Sequence, residues 1–183
     1  MTLRDPYLRA VTKIGYFGPD KSAPVDPRQQ AMINMTEAAQ STIPFTALDM
    51  KVFAIARHPD SRSAEILVQL DTENLGWLPT EKGKSGVNLI LAAMSLNGNR
   101  DVLASKTETL TQSAPTQDPA QLAKEVMRIK LTIRVPRKTQ SVRVVVETEE
   151  GGRIGAADLA RQTIDAAPAM PPPEPQLVSH QPN

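Results

Sequence analysis

Between Ala47 and Glu149 the chain alternates, over most of its length, between apolar and polar positions. A period of two marks a half-buried strand, because successive side chains leave a strand on opposite faces. "SAEILVQLD" shows it most cleanly: Ala64, Ile66, Val68 and Leu70 fall on one side, Glu65, Gln69 and Asp71 on the other. "RIKLTIRV" puts Ile129, Leu131, Ile133 and Val135 inward and Arg128, Lys130, Thr132 and Arg134 outward. "SVRVVVETE" repeats this with Val142, Val144 and Val146, which leaves Arg143 and Glu147 for the wet side. "ALDMKVFAIAR" carries apolar residues on both faces, and "GVNLILAAMSL" runs up to Asn97-Gly98, a tight-turn dipeptide. "VLASKTETLT" is more polar and predicts an edge strand, and "RIGAADLA" predicts a last short one.

Two Asp-Pro pairs interrupt this pattern. Asp26-Pro27 places an N-cap before proline at the first helical position, and "RQQAMINMTEAA" continues it with Met32, Met35 and Ala39 as a narrow apolar stripe. Asp118-Pro119 predicts a second, short helix over "AQLAKEVM", between strands. Six or seven strands at close spacing, without a regular strand–helix–strand rhythm, predict antiparallel sheets packed face to face, each with one wet face. The expected fold is mainly β: an immunoglobulin/fibronectin III-like antiparallel β-sandwich with one or two short helices. It lacks the cysteine–tryptophan–cysteine signature of true immunoglobulin domains. Three regions follow. Residues 1–42 form an N-terminal extension with a short strand over Tyr7–Phe17, a linker and a helix. Residues 43–160 form the sandwich. Residues 161–183 form a proline-rich tail expected to be disordered, with local polyproline II.

Composition narrows the chemistry. Lysine plus arginine total 21 and aspartate plus glutamate 20, so the net charge of +1 creates no field to draw in nucleic acid or an anionic membrane. Aromatic content of 3% argues against stacking on single-stranded bases. With no cysteine there is no disulfide, thiolate metal site or cysteine nucleophile. The charged N-terminus "MTLRDPYLRAVT" reads as no export signal, and the apolar run Leu89–Leu96 is too short to span a bilayer.

Reactive constellations fare poorly. Asp60-Ser61-Arg62-Ser63 has serines at the wrong offsets for a metal-binding D-x-S-x-S and reads as a turn. "EKGKSG" ends like a phosphate-binding loop, but Leu78 stands where the motif needs glycine, so it reads as a hairpin. His58, beside Asp60 and Ser61, reads as a solvated turn histidine, and His180 falls in the tail. Glu147, Glu149 and Glu150 are too few oxygens for calcium and read as a solvated strand end. Trp77, the single tryptophan, reads as a core or rim residue, with a small-ligand or sugar platform as the alternative.

"TKIGYFGPD" (Thr12–Asp20) and "SVRVVVETEEGGRIGAADL" (Ser141–Leu159) together resemble the C-terminal region of bacterial, Acidobacteria-type proteins with a von Willebrand factor A-related domain, without the A domain itself. Lys13 stands where that pattern has arginine, and Glu147-Thr148 where an aspartate is common. The resemblance implies that Tyr16 and Phe17 mark the exit of a preceding A-type domain. Without it they pack on the chain's own sandwich, on the helix after Asp26, or on another molecule. The expected function is a non-catalytic structural or protein-interaction module, an accessory domain with no cofactor and no metal. Its partner would be a protein or that A-type domain, and its candidate interaction surface Tyr16, Phe17 and Trp77. The alternative is a small-ligand or carbohydrate-binding module around Trp77. The chain would be extracytoplasmic if its parent is exported.

Overall fold

A computed structural model of the chain describes residues 27–80, 83–115, 118–122, 126–149 and 152–170. The elements, in order, are α1 (Pro27–Gln40), β1 (Met50–His58), β2 (Ser63–Asp71), β3 (Leu78–Pro79), β4 (Ser85–Leu96), β5 (Val102–Ala114), α2 (Pro119–Leu122), β6 (Val126–Arg134), β7 (Ser141–Thr148), β8 (Ile154–Ala160) and α3 (Arg161–Ala166). One antiparallel sheet has the order β1-β2-β6. In the other, β5 lines one edge of β4 along its whole length, and β7 and then β8 follow on the opposite edge. The two-residue β3 extends that second edge beyond the end of β7, where Leu78 and Pro79 pair with Gly86 and Ser85. Set β3 aside, and seven strands form the expected β-sandwich of immunoglobulin/fibronectin III-like type.

The core follows from the alternation. Ala64, Ile66, Val68 and Leu70 of β2 are fully buried, and they face Leu89 and Leu91 of β4 and Val142, Val144 and Val146 of β7 across the sandwich. Ile129, Leu131 and Ile133 of β6 close the same cluster. Removing each large aliphatic from water is worth about 2 kcal/mol, so this face alone accounts for two sheets choosing each other.

The second sheet departs from expectation: it has no wet face where β4 meets β7. Helix α1 lies across it, and Met35, Ala38 and Ala39 pack on Ile90, Ala92 and Val145. The molecule therefore has three layers, helix on sheet on sheet. Arg143 and Glu147, expected in water, are each 2% exposed. Period two reports which residues share a face, but not what covers that face.

Three further corrections concern boundaries. Among the described residues the helix after Asp118 is Pro119–Leu122, and Val126 and Met127 already belong to β6. Asn97-Gly98 opens a five-residue loop rather than a two-residue turn. Asn97 N–H donates to the carbonyl of Asp101, and the left-handed residue is Arg100, at φ 66°. Residues 161–170, expected in the disordered tail, are structured: α3 is followed by a segment whose Ala169 bridges in parallel to Arg57. Tyr7–Phe17 and the prolines from Pro171 on lie outside the described residues.

Candidate functional site

Sheet edges are where a sandwich meets other chains, because their backbone groups lack neighbours. Here two edges carry cover from the chain itself. The outer side of β8 receives residues 45–48: Ala47 N–H donates to Ile154 O at 3.1 Å, and Ala156 N–H to Phe45 O at 2.9 Å. The outer side of β1 receives the C-terminal segment, with Arg57 N–H donating to Pro168 O at 2.8 Å and Met170 N–H to Arg57 O at 2.9 Å. On the opposite flank, β5 pairs with β4 alone and β6 with β2 alone, among the described residues. β5 is 13 residues long and rich in serine and threonine, with one ion pair, Lys106–Glu108 at 2.7 Å.

Trp77 sits at the end of the sandwich where β2 finishes. The loop after Asp71 folds over that end: Leu75 is fully buried, and Gly76 adopts φ +71°, a conformation costly for any side chain. Trp77 is half-buried, packs on the core, and donates from Nε1 to Thr72 O at 3.0 Å. The Thr72 hydroxyl in turn donates to the carbonyl of Leu122, tying α2 to the loop. The indole wall separates two shallow clefts. One, of about 360 Å³, is shared with Glu73, Pro79, Leu122 and Arg153. The other, of about 270 Å³, is shared with Gln112, Pro115 and Arg128. Tyr16 and Phe17, expected to share a surface with Trp77, lie outside the described residues.

The motifs weighed for chemistry fall as follows among the described residues. Asp60 to Arg62 is a turn into β2 with Arg62 at φ 49°, and the hydroxyls of Ser61 and Ser63 pair at 2.7 Å. Gly83 and Lys84 sit in the β3–β4 connection, where Thr80 N–H donates to Lys84 O at 2.8 Å. His58 is not a solvated histidine. It is 2% exposed, with Nδ1 3.0 Å from Met170 O and Nε2 3.0 Å from Glu65 Oε1. The ring therefore bridges the C-terminal segment to β2 through both of its nitrogens. Glu147 is not a solvated strand end either. Asn34 Nδ2 of α1 donates to its Oε1 at 2.9 Å, while Oε2 is buried without a partner. Burial pushes its carboxyl above the usual range, and the Asn34 bond pulls weakly the other way.

Arg143 does for α1 what His58 does for the C-terminal segment. Its Nε donates to Ala38 O at 2.8 Å, Nη2 to Ile43 O at 3.1 Å, and Nη1 to Asp158 at 2.6 Å. Arg100, from the β4–β5 loop, donates Nη2 to Ala39 O and Ser41 O. The last carbonyls of a helix have no partner within it and carry its negative dipole end. Helix α1 has no basic residue in its own last turn, and one arginine from β7 and one from the β4–β5 loop supply what it lacks.

The chain is thus a β-sandwich domain whose buried polar groups fasten accessory segments to its sheets. No protein-family model and no curated protein matches it. Among solved structures it is similar to part of a β-glucuronidase from glycoside hydrolase family 2, at 14% identity and a TM-score of 0.33, covering 60% of this chain and 10% of that one. It is also similar to part of a glycosyl hydrolase family 2 member from Bacteroides cellulosilyticus, at 18% identity and a TM-score of 0.34, covering 62% and 14%. The chain spans a small fraction of either structure. Among the described residues, no helix is long and apolar enough to cross a membrane.

Proposed function

We propose that this chain is a non-catalytic protein-interaction module, and that it receives its partner by strand addition along β5. The observation that carries this reading is the asymmetry of the edges: β8 and β1 are covered by the chain's own segments, while β5 offers a long strand paired on one side among the described residues. An extended partner segment would gain main-chain hydrogen bonds there, and β5 side chains would set its register. The resemblance to proteins with a von Willebrand factor A-related domain adds the preceding A-type domain, or the chain leading out of it, as the expected partner. A photo-crosslinker at Thr107, compared with one at Lys51 on the other sheet, tests this in the native host. A discrete adduct from Thr107 that is lost when Thr109 is replaced by proline supports β5. Adducts from Lys51 alone would move the interface elsewhere.

A second reading rests on Trp77, whose indole borders two clefts with Glu73, Arg128 and Arg153 at their rims. A planar ring beside charged side chains suits a small polar ligand such as a sugar. Titration with a panel of mono- and oligosaccharides, read by the single tryptophan's fluorescence, decides it. A saturable shift supports the reading, and a flat response across the panel removes it.

A further inference from the structure

At the end of β2 opposite Trp77, a cleft of about 270 Å³ opens between four separate elements. Arg57 comes from the end of β1, Arg62 from the β1–β2 turn, Arg137 from the β6–β7 loop and Arg161 from α3. Asp165 is the one carboxylate lining it, and Val135 and Ile164 form an apolar floor. We propose that this cleft is a binding site for a small ligand carrying a tetrahedral oxyanion, of the phosphate or sulfate class.

The charge balance points that way. Asp165 is already engaged, its two oxygens each 2.9 Å from Arg161 Nε. Arg57, Arg62 and Arg137 have no carboxylate within ion-pair distance among the described residues. His58 also lines the cleft, and the Glu65 carboxylate it bonds is engaged there and adds no free negative charge. Three uncompensated guanidinium groups around one small concavity repel each other, and an anion between them turns that repulsion into attraction. Guanidinium forks also match the oxygen spacing of phosphate and sulfate.

Preorganisation is the second argument. Arg57 is held by Nε donating to Ala167 O at 3.1 Å, and Arg161 by Nη1 donating to Pro136 O at 3.1 Å as well as by Asp165. Their carbonyl partners fix direction without cancelling charge. Arg62 and Arg137 are exposed, and both are free to close over a bound anion. Two fixed and two adjustable cations lower the ordering cost of binding relative to four free ones. The whole-chain net charge of +1 hides this, because the acidic residues are distributed elsewhere.

The test is a titration of the full chain with pyrophosphate, inorganic phosphate and sulfate at low ionic strength, followed by amide chemical shifts and calorimetry. The expected result is saturable binding with shifts concentrated at residues 57–63, 135–138 and 161–165, weakening as salt is added. Arg62→Gln and Arg137→Gln, at exposed positions, should each weaken binding by about tenfold, the worth of one charge-assisted hydrogen bond. Lys130→Gln, on the outer face of the three-stranded sheet, should leave it unchanged, and thermal melts of all three should match the parent. Preference for phosphate over sulfate, or the reverse, would separate the two sources. No saturable binding to any of the three anions would overturn the proposal. So would binding that Lys130→Gln weakens as much as Arg62→Gln and Arg137→Gln do.

Discussion

The guanidinium of Arg143 lies 2.8 Å from the backbone carbonyl of Ala38, so a residue of β7 terminates helix α1 from beneath. The same side chain reaches Asp158 on β8, and therefore joins the helix layer to two strands at once. Because the arginine is buried, losing it strands the acceptors it served, and shortening it strands the charge instead. Arg143→Ala should destabilise the domain by about 3 kcal/mol, and Arg143→Lys should recover only part of that. Denaturant titration followed by circular dichroism measures both. A change within error of zero for Arg143→Ala would mean that α1 is not held this way.

Glu147 gives the opposite sign. Its Oε2 is buried without a partner and its carboxyl titrates above the usual range because of burial. In the folded chain it therefore keeps its proton at a pH where the unfolded chain has lost it. The native state binds more protons, so this group's contribution to stability falls as pH rises from the unfolded value of 4.5 through the raised folded value. Glu147→Gln keeps an acceptor for Asn34 and removes the ionisation. It should stabilise the domain at neutral pH by about 1 kcal/mol and flatten that slope. Equal slopes for parent and variant would show that Glu147 is not the source.

His58 fixes the end of the described chain. It is bonded to Met170 O on one side and Glu65 on the other. His58→Ala should cost about 2 kcal/mol through lost packing and hydrogen bonds. It should also raise hydrogen exchange at residues 167–170 more than in β2 or β7. Uniform exchange across the domain would mean that the segment does not depend on the ring.

Gly155 offers a steric test. A methyl group there would meet Leu48 O at 2.8 Å and the Met50 sulfur at 3.0 Å, where the chain crosses from the β8 edge into β1. The nearest atom is backbone and cannot swing aside. Gly155→Ala should destabilise by about 2 kcal/mol, measured against Gly98→Ala, whose nearest neighbour is 3.9 Å away and whose cost should be far smaller.

The two-sheet core was written in the order of residues. Ala64 to Leu70 and Ile129 to Ile133 alternate because a strand offers one face to a core, and that local rule needs no tertiary information. The polar character of Val102–Thr111 likewise foretold an edge. What covers the far side of β7 was not readable. "VRVVVE" obeys the same alternation whether Arg143 and Glu147 meet water or a helix, and α1 joins them from more than 100 residues away. His58 read as a turn residue for the same reason: its burial depends on Met170, 112 positions later. The arginines at positions 57, 62, 137 and 161 carry no shared motif, and only the closure of the sandwich gathers them around one cleft. Periodicity is a property of neighbours along the chain. Which charged groups are buried, and which stand together, is settled by long-range packing, whose energy is not local.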